Sequence, residues 1–394
     1  MLTVPFPYHV LPHAGNFLGP FFEPLNRWTG DHVFGISHPY TAAIMSDSTG
    51  MYIHVFVLAV FSLLAAGVWK LLGKKERNYE RLQYWFHVLL SYYLSLQLFK
   101  YGFSKIFKNQ FYLPEPNTLF TPFGDLSDDI LYWSTMGSSY SYSVFTGILE
   151  VIPAILLLFR KTRSAGAVLA SAVMLHVVMI NFCFDISVKV FSVFLFLISL
   201  VIAFPGIRKL FRILIKKETG DQPRWIPRIQ NKKQALLYSL AKALVIALIL
   251  YETLLLYFLA GNFNDDKSPR PPFHGAYDVK VFVIDNDTLP PLLTDSMRFR
   301  RVFIHRQGYF IVQKMNDAMT DFKMDYVPGD NMISLTEGNK IKAQFEITET
   351  ENGRYLYFEG KYEGTEMKIR AKKIDLSKLP ALQKGFHWTI DDYK

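Results

Sequence analysis

The chain has 394 residues, a formal net charge of +9, a single cysteine, and half of its residues hydrophobic. The length and the uneven spread of apolar residues suit one membrane domain joined to one soluble domain. Cys183 alone excludes an intrachain disulfide, a CxxC redox pair and a cysteine metal cluster, and the positive charge does not point to nucleic acid, because it flanks apolar runs as orientation signals do.

Residues 1–50 are rich in Pro, Gly, His and aromatics. They contain no spanning run and no apolar core behind a basic start of the kind that marks a secretory signal. Such a composition suits an extracytoplasmic segment lying at a membrane interface. His9, His13, His32 and His38 show no metal-ligand spacing, so they read as loop or interfacial histidines and no metal site is expected.

Residues 51–260 read as a transmembrane helical domain. Six apolar runs stand out: Tyr52–Leu72, Gln83–Lys100, Ser141–Phe159, Ser164–Phe182, Val188–Phe204 and Gln234–Ala260. Each is about long enough to cross a hydrocarbon core of roughly 30 Å at 1.5 Å per residue. Basic residues cluster after the first, third and fifth runs, and the intervening connections carry few. The positive-inside rule then puts the basic loops in the cytoplasm and both residues 1–50 and the C-terminal domain outside it, in a multi-pass cytoplasmic (inner) membrane protein.

Residues 265–394 alternate apolar and polar with period two in YDVKVFVI, YFIVQKM, KIKAQFEIT, RYLYFEG and EMKIRAKKI. Asn352-Gly353 is a hairpin signal, because the pair accepts positive φ at low cost. The expectation is an extracytoplasmic antiparallel β-domain of six to eight strands, either a sheet or a small barrel-like meander, with a short helix over Leu376–Gln383. It shows no Ser-His-Asp order, phosphate loop or paired carboxylates, which favours a binding or packing module over an enzyme.

Ionisable residues inside the runs are the candidates for function, since hydrocarbon does not tolerate them unpaired. Glu150 sits in the third run, His176 in the fourth and Lys242 in the sixth, at depths that let His176 or Lys242 serve as partner of Glu150. A second set, Lys100, Lys105, Asn181, Asp185 and Lys189, lies at outer span ends, where Asp185 and Lys189 can pair at four-residue spacing. Together these suggest a pocket opening outward between the second, fourth and fifth runs. Glu252 reads as an interfacial carboxylate.

The segments LFKYGFSKIFKNQF, MGSSYSYSVFTGILEVIPAILLLFRKTRSAGA and NFCFDISVKVFS resemble the DoxX-like family of bacterial integral membrane proteins. The resemblance covers residues 83–204 and extends less specifically to the KGFHW segment, Lys384–Trp388. It implies a four-helix core in the bacterial cell envelope and, for some relatives, quinone- or thiol-linked redox chemistry. The chain departs from the pattern by its further spans and β-domain. Relatives of this layout begin with another apolar helix ending in a PFP-like segment, whereas Pro5-Phe6-Pro7 stands close to Met1 here.

Three functions are carried forward. One is a membrane subunit of redox chemistry with quinone as its cofactor. Another is an envelope binding or assembly protein whose β-domain meets a membrane or extracytoplasmic protein. The third is a transporter, disfavoured because no inverted repeat or matching pair of broken helices is visible. The lipid bilayer is a partner in all three.

Overall fold

The computed structural model describes residues 14–44, 46–73, 79–216, 231–383 and 388–389. Pro5-Phe6-Pro7, His9, His13 and most of KGFHW lie outside them. The helices are α1 (Ala14–His32), α2 (Thr49–Leu72), α3 (Glu80–Ile106), α4 (Pro116–Leu119), α5 (Asp128–Ser138), α6 (Tyr140–Leu158), α7 (Arg163–Cys183), α8 (Lys189–Lys216) and α9 (Lys232–Ala260). Two compact units divide the chain, one of Met1–Phe111 with Tyr140–Asp265 and the other of Tyr112–Ser139 with Asp266–Lys394.

In the first unit α2, α6, α7, α8 and α9 are long and apolar enough to cross a membrane, which makes the chain a multi-pass membrane protein. The 27 residues of α3 span about 40 Å, enough to cross, but Glu80, Arg81, Lys100 and Lys105 make it more polar than the other five. Two helices outrun their apolar runs. The run ending at Lys100 continues as helix to Ile106, and α8 passes through Pro205 to Lys216. The N-terminal region also holds a helix, α1, whose Phe22 packs with Ile53 and Val57 of α2. The main core joins Leu94 and Leu98 of α3, Ala154 and Leu157 of α6, Ala167 and Ala170 of α7, Ile198 and Ile202 of α8, and Ile249 of α9.

The second unit is built on β1 (Gly275–Ile284), β2 (Asp287–Thr288), β3 (Phe299–Ile304), β4 (Tyr309–Lys314), β5 (Met319–Val327), β6 (Met332–Glu337), β7 (Lys340–Thr350), β8 (Tyr355–Tyr362) and β9 (Thr365–Lys373). Every pairing is antiparallel. Neighbours follow one another from β3 to β9, and β9 then pairs with β1, which pairs with β3. Eight strands therefore close a barrel, and the short β2 is an appendage of β1. Closure removes the free edges that an open sheet would expose. The interior is filled by Phe282, Phe310, Phe345, Phe358, Leu335, Leu356 and Ile369, all buried, as eight strands with side chains pointing inward allow. The turn at Asn352-Gly353 has the expected positive φ at both residues and also at Glu351, so it is longer than a two-residue hairpin. Leu376–Gln383 forms two short 3₁₀ turns in place of the expected helix.

The compact β unit is larger than residues 265–394, because residues 112–139 belong to it. Strands β3 and β4 bury residues on both faces: Phe303 and Ile311 point away from the interior and, with Ala276, form a second small core that Phe120 joins. The Phe120 ring stacks on Phe303 at 5.7 Å between centroids, and the Arg301 guanidinium lies 4.7 Å from the Phe120 ring centre. Gln313, buried, donates from Nε2 to the Phe120 carbonyl at 3.3 Å. The two ends of the segment close on each other, since a side chain at Gly137 would meet the Tyr112 carbonyl at 2.1 Å. Residues 112–139 thus form a closed loop of the kind that packs as a compact surface unit.

Residues 266–383 expressed alone should give β-type far-UV dichroism. The same fragment joined to 112–139 by a glycine–serine linker should melt higher, by about 3–4 °C for each kcal/mol the loop contributes. Equal melting temperatures would show that the loop adds nothing to the barrel.

Candidate functional site

The candidate site lies on the seam between α3 and α6. Small residues let the two backbones approach: a side chain at Gly102 would meet the Gly147 carbonyl at 2.9 Å, and one at Gly147 would meet the Gly102 carbonyl at 2.6 Å. Close approach through small residues is the usual way apolar helices associate where no hydrophobic drive separates protein from lipid. Serines fasten the seam on either side of the glycines. Ser95 donates to the Ala154 carbonyl at 2.8 Å, and Ser143 donates to the Lys105 carbonyl at 2.9 Å.

Lys105 and Glu150 each lie three residues beyond a seam glycine on antiparallel helices. Helical Cβ atoms tilt toward the N-terminus, so the two side chains lean toward one another across the crossing. Lys105 Nζ reaches both carboxylate oxygens of Glu150 at 2.8 Å. Only 9% of the lysine side chain and 4% of the glutamate side chain are exposed. The rings of Tyr101 and Phe111 each stand 5.7 Å from Nζ, adding cation–π attraction to the ion pair. The result is a neutralised charge pair, closed to solvent and walled by aromatics.

This arrangement corrects the expected partners. His176 is exposed on α7, and the partner of Glu150 is Lys105. Lys242 of α9 is half-buried, with Nζ 4.7 Å over the Phe159 ring. Both matched Glu150 in depth along their helices, but depth does not say which face a residue takes. Lys105 was set with the outer group because its apolar run stops at Lys100, whereas the helix runs on past it.

The outer group accordingly divides. Lys100 is exposed on α3. Lys189 Nζ bonds Asp185 at 2.7 Å, but not within one helix: Asp185 has a left-handed φ of 48° and lies in the turn between α7 and α8. Asp47, which sequence reasoning missed, accepts from the backbone N–H groups of Lys189 and Val190 at 2.8 and 3.1 Å. A carboxylate there satisfies the open donors and the positive dipole end of α8. Asn181 is buried near the end of α7, and its amide nitrogen has no hydrogen-bond partner. Of this group, Lys105 pairs with Glu150, whereas Lys189 pairs with Asp185.

Two further charges are buried. Glu252 is buried on α9, with one carboxylate oxygen lacking a partner. Lys108, just past α3 in a left-handed conformation, is fully buried. Among the described residues no group of His, Cys, Asp or Glu is arranged to hold a metal ion.

Fold and site together define a multi-pass helical membrane protein with a buried intrahelical-bundle ion pair and an antiparallel eight-stranded barrel. Over 145 residues the chain is 31% identical to the uncharacterised protein YwoB of Bacillus subtilis (strain 168), a stretch that is 34% of this chain and 86% of YwoB. The chain therefore belongs to the same family as YwoB. No family model matches the chain, and no solved structure does.

Removing one member of a buried ion pair costs roughly 3–5 kcal/mol, because the other charge is left stranded. Glu150→Gln and Lys105→Met should each lower thermal stability in detergent, and the double variant should recover part of the loss. His176→Ala and Lys242→Met should add independently to Glu150→Gln in the same cycle. Coupling of Glu150 to either of these, and none to Lys105, would reverse the assignment.

Proposed function

We propose that the chain is a DoxX-like protein of the bacterial cytoplasmic membrane, with its barrel outside, serving as a membrane subunit of quinone- or thiol-linked redox chemistry. The observation that carries this reading is the Lys105–Glu150 pair, buried at a helix crossing inside an apolar bundle. Ionisable residues within membrane helices are costly and mark functional positions by default. Reducing a quinone to its quinol takes two electrons and two protons. A carboxylate with a lysine partner can take up and pass on a proton, while the electrons come from a partner dithiol that becomes a disulfide. The chain cannot supply that dithiol itself, since Cys183 is its one cysteine.

Topology supports the outer placement of the barrel. The loop 112–139 and residues after 265 belong to one unit, so the connection from α3 to α6 and the chain leaving α9 emerge on one side. Four crossings, by α6, α7, α8 and α9, lead back to that side, and α3 supplies the sixth span. The opposite side carries the basic residues around Arg160–Arg163 and 208–233, which fits the cytoplasm.

An envelope binding or assembly role is the second reading. It is favoured by the filled interior of the barrel, which leaves the outer surface, and not a cavity, to meet a partner.

Two measurements test the proposal. With Cys183 replaced, a cysteine at Arg163 should be labelled only from the cytoplasmic side and one at Asp285 only from outside. Gentle purification should yield bound quinone from the native chain and much less from Lys105→Met. Inside labelling of position 285 would overturn the topology, and quinone content at background in the native chain would overturn the redox role.

A further inference from the structure

Within the barrel unit, one carboxylate is held by three basic side chains from two other elements. Glu115, which precedes α4 in the 112–139 loop, is buried, with 4% of its side chain exposed. His274, the residue before β1, approaches Glu115 Oε2 through Nε2 at 3.2 Å. His305, in the turn between β3 and β4, approaches the same oxygen through Nε2 at 3.7 Å. Arg306 donates from Nε to Oε1 and from its backbone N–H to Oε2 at 3.3 Å. The Arg306 guanidinium lies 4.1 Å from the centre of the Tyr112 ring, and the Tyr309 ring meets the His305 ring edge-on at 6.0 Å. Gly275 pairs with Ile304, so His274 and the 305–306 turn share one end of the barrel.

The neutral state of His305 is built into the backbone. The Gln307 N–H donates to His305 Nδ1 at 3.1 Å, so Nδ1 is an acceptor and the ring proton sits on Nε2, facing Glu115. A second proton on Nδ1 would face the Gln307 N–H and break that bond.

We propose that Glu115, His274, His305 and Arg306 form an acid-sensitive latch that fastens the 112–139 loop at one end of the barrel, released by protonation of His305. Burial holds the His305 imidazole below the ordinary histidine value, with Arg306 and His274 adding to the effect and Glu115 opposing it. A histidine lowered on folding contributes stability that is complete above its ordinary value and is lost as the pH falls through it. Burial would raise the Glu115 carboxyl, but the His274 hydrogen bond, the charge of His305 once it is protonated, and the Arg306 charge and backbone N–H outweigh it and bring the group down to about 2. Glu115 therefore stays ionised while His305 titrates, and its own contribution fades only below the ordinary carboxylate range. The loop runs in sequence from α3 to α6, the helices that carry Lys105 and Glu150. Release at low pH thus frees the connection between the two halves of that seam.

Amide hydrogen exchange on the full chain in detergent, corrected for the intrinsic pH dependence of exchange, tests the latch. Amides of residues 115–131 should exchange faster at pH 5 than at pH 7.5, by up to about tenfold per pH unit, the limit for one linked proton. Phe310–Val312, inside the barrel wall, should stay protected at both. His305→Asn offers an amide oxygen to the Gln307 N–H but does not titrate, and should give a loop that stays protected with a flat profile. His274→Gln should keep the acid-induced loosening. Glu115→Gln should exchange fast in the loop already at pH 7.5. A native loop equally protected at both pH values, or the native profile retained in His305→Asn, would overturn the proposal. So would an unchanged loop in Glu115→Gln.

Discussion

Two backbone glycines set the distance at which Lys105 meets Glu150. With Gly102 and Gly147 in contact, the helices run close enough for the lysine to reach both oxygens of the carboxylate. The dependence also runs the other way. Taking two charges out of water costs several kcal/mol each after relaxation, and only good geometry with further hydrogen bonds repays it. The serine bonds from Ser95 and Ser143 keep α3 and α6 in the register that this geometry needs. A larger residue at either glycine would separate the backbones and strand both charges at once.

The barrel solves a different problem by its own closure. Its strands leave no long edge, and its interior is occupied by aromatic and aliphatic side chains. What it does not cover is the outer face of β3 and β4 around Phe303 and Ile311. The 112–139 loop covers that face with Phe120 and is fastened nearby by Glu115. A chain segment distant in sequence is therefore part of the same folding unit, and the loop is best regarded as the missing piece of the barrel's second core.

Much of the architecture was legible from periodicity. Apolar runs announced the helices, and the segments read as alternating with period two became β1, β4, β7, β8 and β9. The double burial of β3 and β4 was also written in the chain, as the continuous apolar runs VFI and FIV, a pattern that marks strands covered on both faces. That Glu150 needs a partner followed from its position alone. The identity of the partner did not, because helix facing depends on where backbones cross, and the Gly102 and Gly147 spacing shows its meaning only once α3 is known to extend to Ile106. Asp47 was overlooked for a related reason: a carboxylate that caps a helix about 140 residues away has no local signature. The Glu115 cluster draws on residues 115, 274, 305 and 306, which only the barrel's register brings to one end.

The seam can be measured without disturbing it. Solid-state NMR on the native chain in lipid, labelled at the lysine side-chain nitrogens and the glutamate carboxyl carbons, reports direct dipolar coupling between Nζ and Cδ. Strong coupling of Lys105 Nζ to Glu150 Cδ is expected, as the contact of 2.8 Å to both oxygens requires. Loss of that signal in Lys105→Met would assign it. A Glu150 carboxyl coupled to no lysine, or coupled to Lys242, would contradict the account.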